Sequence, residues 1–231
     1  MAHHELISKS RWMASQKAEV NYWHGSQVLQ NELDRIEKRF APILARAAEG
    51  LDEDAKILDI GCGPTCSARF IEQGNKTYVD PLLDEFRRAY PAGLPKGKFI
   101  TCQAEDIRLP DGDYDLILSL NALDHMLNPE LVLNEIERLL KPGGVFVLGI
   151  HVYRGIAARF RYYIEKFLPH MRVEARPYCY SFDGMRKTLE RHFTITEASS
   201  LPADSAPLTL FQPQDYVFLC QHKDSSIPEA A

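Results

Sequence analysis

Between residues 56 and 150 the apolar positions fall into short continuous runs separated by stretches of helical spacing. Runs at 57–60, 76–80, 98–102, 114–120 and 145–150 have strand length. Between them, 65–73 reads as a helix with Pro64 near its first turn and Gly74-Asn75 as its stop, and 82–90 as a second helix. Asn128-Pro129 gives a cap followed by a first-turn proline, opening a third whose Val132, Ile136, Leu139 and Leu140 make one apolar face; Gly143-Gly144 reads as its end. Strands this apolar, alternating with helices, predict a doubly wound α/β fold in which a mostly parallel sheet is covered on both sides.

The flanks have different rhythms. Residues 1–50 lack strand-like alternation, and Leu29, Leu33, Ile36, Phe40 and Leu44 recur at spacings of three and four, predicting a helical lead-in. Its aromatic residues Trp12, Tyr22 and Trp23 fit a packing patch or a lid over a site. After His151 the alternation lapses into an insert, 151–180, followed by a helix at 183–191 and strands at 193–198 and 216–221. These last two are expected to pair antiparallel at the edge, completing a seven-stranded sheet. The expected organisation is therefore a lead-in or lid (1–50), one domain (51–223) with a substrate-side insert, and a disordered tail (224–231).

Charge and cysteine usage narrow the function. Against 27 basic residues stand 32 acidic ones, a net charge of −5, which argues against a nucleic-acid binder. The apolar runs are too short to span a bilayer and no signal segment is legible, so a cytoplasmic location is expected. Five cysteines without paired C-x-x-C spacing read as reduced thiols, with no metal site.

The chemistry gathers where strands end, since a doubly wound sheet binds ligands at its carboxyl edge. Strand one runs into Asp59 and then Gly61-Cys62-Gly63-Pro64-Thr65, a turn in which missing Cβ atoms let backbone approach a nucleotide. Strand two ends at Asp80-Pro81, strand three at Gln103-Ala104-Glu105-Asp106, strand four at Asn121. A carboxylate at 80 offers two oxygens to the two hydroxyls of a ribose. A dinucleotide site wants G-x-G-x-x-G, but position 66 is cysteine, and Asp59, Asp80, Glu105 and Asp106 suit a sulfonium and an ammonium better than a pyrophosphate.

The stretches Ile57-Leu58-Asp59-Ile60-Gly61-Cys62-Gly63, Tyr78-Val79-Asp80-Pro81, 104–115, 119–125 and 135–144 resemble, in that order, a class I S-adenosylmethionine-dependent methyltransferase of the broad group that includes quinone-biosynthesis methyltransferases. The resemblance covers roughly 56–151 and implies a Rossmann-like methyltransferase fold with S-adenosyl-L-methionine as cofactor and S-adenosyl-L-homocysteine as product. It implies that Asp59, Gly61 and Gly63 line the methionine part, that Asp80 with Pro81 holds the ribose, that Ala104, Glu105 and Asp106 flank the adenine, and that Asn121 lies beneath the transferred methyl. Thr65 stands where the family usually has a third glycine, and is expected to cap the following helix.

The expected reaction is methylation of a small-molecule acceptor, oxygen favoured, with His151 and His125 as candidate bases and Asp124 as a third. The insert is locally basic: Arg154, Arg159, Arg161, Lys166, Arg172 and Arg176 against Glu165 and Glu174. Its apolar positions Ile156, Phe160, Tyr163, Ile164 and Phe167 recur at helical spacing, fitting a helix that covers an anionic acceptor, touches an acidic membrane surface, or packs on the domain with solvated arginines. Two other readings stand beside this one: a cofactor-binding interaction protein without turnover, and an NAD-dependent oxidoreductase, which Cys66 counts against.

Overall fold

In the computed structural model, residues 6–25, 27–167, 176–202 and 212–223 are described. Five parallel strands form the centre of the sheet: β1 (Lys56–Ile60), β2 (Asn75–Val79), β3 (Lys98–Ile100), β4 (Tyr114–Leu120) and β5 (Leu140–Tyr153). The expected antiparallel pairing of the last two long strands is present. β8 (Gln214–His222) runs antiparallel between β5 and β7 (Phe193–Ser200), giving the order β3-β2-β1-β4-β5-β8-β7. An eighth, two-residue strand, β6 (Tyr180–Ser181), adds to the end of β5. The order reverses between β1 and β4, which opens a crevice above their carboxyl ends.

Helices pack on both faces because successive side chains of a strand point to opposite sides. On one face Leu58, Ile60, Ile117, Phe146 and Leu148 meet α5 (Pro129–Leu139) and α7 (Phe182–His192) through Ile136, Leu139, Met185 and Leu189. On the other, Ile57, Leu116, Leu118 and Val147 meet Ile36 of α2 (Val28–Arg39), Phe40, and Ile43 and Leu44 of α3 (Ala41–Ala47). Phe40 and Leu44 are completely buried, each adding about 1.5–3 kcal/mol of transfer free energy. That burial fastens the lead-in to the sheet. Pro42 at the start of α3 separates it from α2, where the spacing suggested one run. Ahead of them lies α1 (Lys9–Trp23), capped by the Ser8 hydroxyl, which accepts the Arg11 N–H.

Two local expectations fail for backbone reasons. The helix expected at 65–73 is a single 3₁₀ turn, Ser67–Phe70, because Cys66 takes a left-handed conformation (φ 48°) that helical backbone cannot follow. Thr65 does not cap it; its hydroxyl donates to the Cys62 carbonyl at 3.2 Å. Further on, α5 ends at Leu139 and Leu140 is already extended. β5 pairs Leu140 with Tyr114 and then Val145 with Leu116, so Gly143-Gly144 sits in a bulge, with Gly143 at φ +79°, rather than at the helix end.

The insert begins with α6 (Gly155–Phe167), which buries Ala157 and Ala158 and turns Ile156, Phe160, Tyr163 and Phe167 outward. α4 (Leu83–Ala89) completes the set. The expected tail and residues 168–175 of the insert lie outside the described residues. Among the described residues no helix is long and apolar enough to cross a membrane.

Candidate functional site

The crevice at the switch point is built from the glycine turn upward. Gly61 and Cys62 donate their N–H groups to the Val79 carbonyl at 2.8 and 3.2 Å, closing the turn against the end of β2. Gly61 has φ +66°, and a Cβ there would stand 2.4 Å from the Ala122 Cβ; only glycine fits. Gly63 (φ +52°) donates its N–H to Asp80 Oδ2 at 3.0 Å, while Asp80 Oδ1 accepts from Leu82 at 2.8 Å. Each carboxylate oxygen keeps a second lone pair for a ligand hydroxyl. Burial pushes the Asp80 carboxyl up to about 6, although the Leu82 and Gly63 N–H groups hold it down.

Above this floor lies a cavity of roughly 830 Å³, its open mouth included. Gly61, Gly63, Asp80, Pro81, Ala104, Glu105 and Asn121 all line it, seven of the nine positions expected to hold a cofactor. Glu105 accepts the Asn128 N–H at 2.9 Å, which joins the turn after β3 to the start of α5. Asn121 has φ 54°, and its Oδ1 is buried without a hydrogen bond from the protein. That orphaned acceptor belongs to a side chain on the cavity wall, where a bound group can satisfy it.

Two expected positions lie elsewhere. Asp59 is buried behind the glycine turn, where Oδ2 accepts the Ala68 N–H at 2.9 Å, so it braces the loop from beneath. Burial raises its carboxyl to about 7, against the backbone donors of Ala68 and Ser67. The Asp106 side chain is 76% exposed and faces Arg108 at 3.7 Å, away from the cavity.

The two candidate histidines differ in what holds them. His125 lines the cavity from the 3₁₀ turn Leu123–His125. Its Nδ1 stands 3.1 Å from Glu19 of α1 and its Nε2 3.6 Å from buried Asp124. Burial opposes the imidazolium, but Asp124 and Glu19 outweigh it and raise His125 above its ordinary value. Asp124 is correspondingly lowered despite burial, by His125, Arg176 and His151. His151 does not line the cavity. At the end of β5 its Nδ1 contacts Asp215 of β8, the residue opposite it in register, and its Nε2 is buried without a hydrogen-bond partner.

The lead-in contributes walls that its periodicity did not announce. Trp12, Gln16, Glu19 and Trp23 of α1, with Glu32, Arg35 and Ile36 of α2, line the cavity opposite the strand ends. Trp12 and Trp23, with Tyr22, were expected as a packing patch or a lid; Gln16, Glu19 and Glu32 carry no pattern in the sequence that marks them as lining. Of the insert's arginines, Arg161 is tied to the Tyr153 hydroxyl at 2.6 Å and the Arg176 carbonyl at 2.8 Å, and Arg159 is exposed.

Asp80, Glu105, Glu19 and Glu32 against Arg35 and His125 make these walls suited to a cation. Cys66, completely buried, fills the position a dinucleotide turn keeps bare, and the four-residue 3₁₀ turn after it presents no α-helix to a pyrophosphate. Residues 58–148 match the family model described as a methyltransferase domain. That match places a methyltransferase domain within residues 58–148. The domain is 32% identical over 124 residues to an uncharacterized methyltransferase of Mycobacterium bovis, covering 52% of this chain and 48% of that protein. It is 31% identical over 105 residues to the sterol 24-C-methyltransferase erg-4 of Neurospora crassa, covering 42% and 28%. The chain thus spans about half the length, or less, of these curated relatives. In fold, the chain resembles the Burkholderia thailandensis 1,6-didemethyltoxoflavin-N1-methyltransferase solved with 1,6-didemethyltoxoflavin and S-adenosylhomocysteine. The TM-score is 0.65 at 18% identity, over 96% of this chain and 94% of that one.

Proposed function

We propose that this protein transfers the methyl group of S-adenosylmethionine to a small-molecule acceptor, a hydroxyl oxygen being favoured. The observation that carries the reading is the cavity over the switch point, where Asp80 lies buried with both oxygens ordered by backbone donors and a lone pair left on each. Asp80 would hold the ribose, Ala104 and Glu105 the adenine, and the bare backbone of Gly61 and Gly63 the methionine part. When bound, the cofactor supplies an electrophilic methyl group on a positively charged sulfur. The acidic walls stabilise that charge, and the Burkholderia enzyme, which binds a small molecule beside S-adenosylhomocysteine, supports an acceptor of the same size class.

The chain's own work is then to hold the acceptor in line and to take its proton. Trp12 and Trp23 give the cavity an aromatic wall opposite the strand ends. Asn121 offers its unpartnered oxygen beside the reacting centre. Of the two histidines, His125 has a carboxylate facing each ring nitrogen and serves α1 docking. His151, the other candidate base, keeps Nε2 buried without a hydrogen-bond partner and stands outside the cavity lining. An anionic acceptor would meet Arg35 on the wall, whose charge Glu32 already balances at 2.6 Å; the insert's Arg161 is engaged within the insert. The favoured acceptor is therefore neutral or weakly acidic.

Thermal shift with S-adenosylmethionine, S-adenosylhomocysteine and NAD tests the first half. A ligand at about 100 times its Kd stabilises by about 2.7 kcal/mol, and the expected result is stabilisation by the first two only. Stabilisation by NAD alone rejects the reading. Transfer from methyl-labelled S-adenosylmethionine to a panel of phenols, enols and alcohols tests the second half, and binding without transfer to any of them favours the interaction-protein alternative.

A further inference from the structure

The helix that opens the insert is anchored on one side and bare on the other. α6 turns Ala157 and Ala158 into the domain. From the same side Arg161 donates to the Tyr153 hydroxyl at 2.6 Å and the Arg176 carbonyl at 2.8 Å, with its guanidinium 5.1 Å from the Tyr153 ring centre. Arg176 in turn stands 3.9 Å from Asp124, the neighbour of the cavity residue His125, so the helix is fixed relative to the cavity. Its outer side carries Ile156, Phe160, Tyr163 and Phe167, each between 53% and 76% exposed. Spacings of four, three and four keep these side chains within about 60° of arc on a helix that turns about 100° per residue. Tyr163 and Phe167 stack along that stripe, with ring centres 6.4 Å apart. Arg159, four residues before Tyr163 and therefore beside it on the helix surface, is exposed, as is Arg154 just ahead of the first turn.

We infer that this face of α6 seats the protein on an anionic bilayer surface, with the helix lying in the plane of the interface. The inference is independent of the methyl-transfer reading. At 13 residues α6 is about 20 Å long, too short to span a bilayer. Lying flat, it can sink its apolar stripe into the boundary between headgroups and acyl chains while the flanking arginines stay among the headgroups. The helix is already formed and anchored, so docking carries no cost of folding it. Charge selects the partner. Residues 154–167 carry Arg154, Arg159, Arg161 and Lys166 against Glu165, in a chain whose net charge is −5. An anionic surface therefore repels the molecule as a whole and attracts this face, which sets the orientation of binding as well as its strength. A second copy of the chain fits the face poorly. A patch of roughly 20 Å by 10 Å falls well below the about 800 Å² that each partner contributes to a stable dimer. Two-fold pairing would also set the arginine flank of one copy beside that of the other.

Sedimentation of the full chain with sucrose-loaded vesicles tests this. Binding is expected to vesicles of phosphatidylcholine and phosphatidylglycerol in equal amounts, at least about tenfold stronger than to phosphatidylcholine alone, and weakening as salt is added. Arg159→Gln should lower the partition coefficient about 5-fold, and the double variant Arg154→Gln/Arg159→Gln about 25-fold. Phe160→Ser and Phe167→Ser should each lower it about tenfold. Leu131→Ser, which removes an exposed apolar side chain from α5 outside the insert, should leave it unchanged. Urea midpoints equal to that of the wild type separate lost docking from lost folding in these surface variants. Equal binding to neutral and mixed vesicles, binding to neither, or unchanged binding in the α6 variants overturns the inference. A loss for Leu131→Ser as large as that for Phe160→Ser does so too, since it marks general stickiness. Sedimentation equilibrium without lipid decides the remaining occupant: a dimer that Phe160→Ser converts to monomer assigns the face to a second copy and overturns the membrane seat, whereas a monomer supports it.

Discussion

Gly63 and Asp80 are joined across two strand ends by a 3.0 Å hydrogen bond from the glycine N–H to the aspartate Oδ2. The residue expected to hold a ribose therefore also fixes the turn expected to receive the methionine part. Substituting it should disturb both halves of a ligand together.

For Asp80→Ala, the affinity for S-adenosylhomocysteine is expected to fall about 10–100-fold, the range for losing hydrogen bonds to a charged group. Titration calorimetry measures it. Since burial brings the Asp80 carboxyl up to about 6, the ionised acceptor is present above that pH and is lost below it. Wild-type affinity should weaken as pH falls through about 6, and Asp80→Asn should flatten that dependence.

Gly61→Ala tests the turn from the steric side. The added Cβ would stand 2.4 Å from the Ala122 Cβ on backbone at φ +66°, so the loop or the start of the 3₁₀ turn must move. A loss of about 1–3 kcal/mol in urea unfolding is expected, together with loss of the thermal shift given by S-adenosylhomocysteine. An unchanged unfolding midpoint would mean the close approach is not real.

Much of this fold and most of the strand-end lining of the cavity are legible in the chain, and the exceptions have local causes. Strands were readable because Ile57, Leu58 and Ile60 or Leu116 through Leu118 are buried on both faces, leaving continuous apolar runs. Position along the chain then sufficed to put Gly61, Asp80, Ala104 and Asn121 at one edge. The helix at 65–73 was misread because nothing in composition reveals that Cys66 is left-handed. Asp59 shows a related ambiguity: a carboxylate beside a glycine turn can face a ligand or brace the turn, as its bond from the Ala68 N–H does, and spacing does not distinguish the two. Trp12, Glu19 and Arg35 reach the cavity only through the path of α1 and α2 over the sheet, a tertiary relationship that periodicity does not encode.

Asp59 also carries a stability prediction. Its carboxyl is raised by burial to about 7, so the folded state binds that proton more tightly than the unfolded chain does. The sign follows: this contribution is fully present below the ordinary carboxylate value and is lost as pH rises through about 7. Asp59→Asn retains an oxygen for the Ala68 N–H and removes the charge. Urea unfolding should find wild-type protein losing on the order of a few kcal/mol more than the variant between pH 4 and pH 8. Parallel pH profiles for the two proteins would show that Asp59 is not a buried carboxylate of this kind.

The contact between Glu19 and His125 makes docking of α1 dependent on pH. Burial works against a charged His125, yet Asp124 and Glu19 raise it above its ordinary value, so the imidazolium is favoured in the folded protein. The resulting stabilisation is fully present below the ordinary histidine value of about 6.5 and disappears as pH rises through the higher folded value. With side chains 15% and 21% exposed, the pair is partly screened, and an effect of about 1 kcal/mol on docking is expected. Trp12 and Trp23 line the same cavity from α1, which makes their fluorescence a direct report of its position. In wild-type protein, quenching of those tryptophans by iodide should increase from pH 6 to pH 8.5, and proteolysis within 9–23 should accelerate in parallel. Glu19→Gln should show the high-pH behaviour already at pH 6. If the variant keeps the wild-type pH dependence, His125 is held by Asp124 alone and α1 docks through its aromatic contacts.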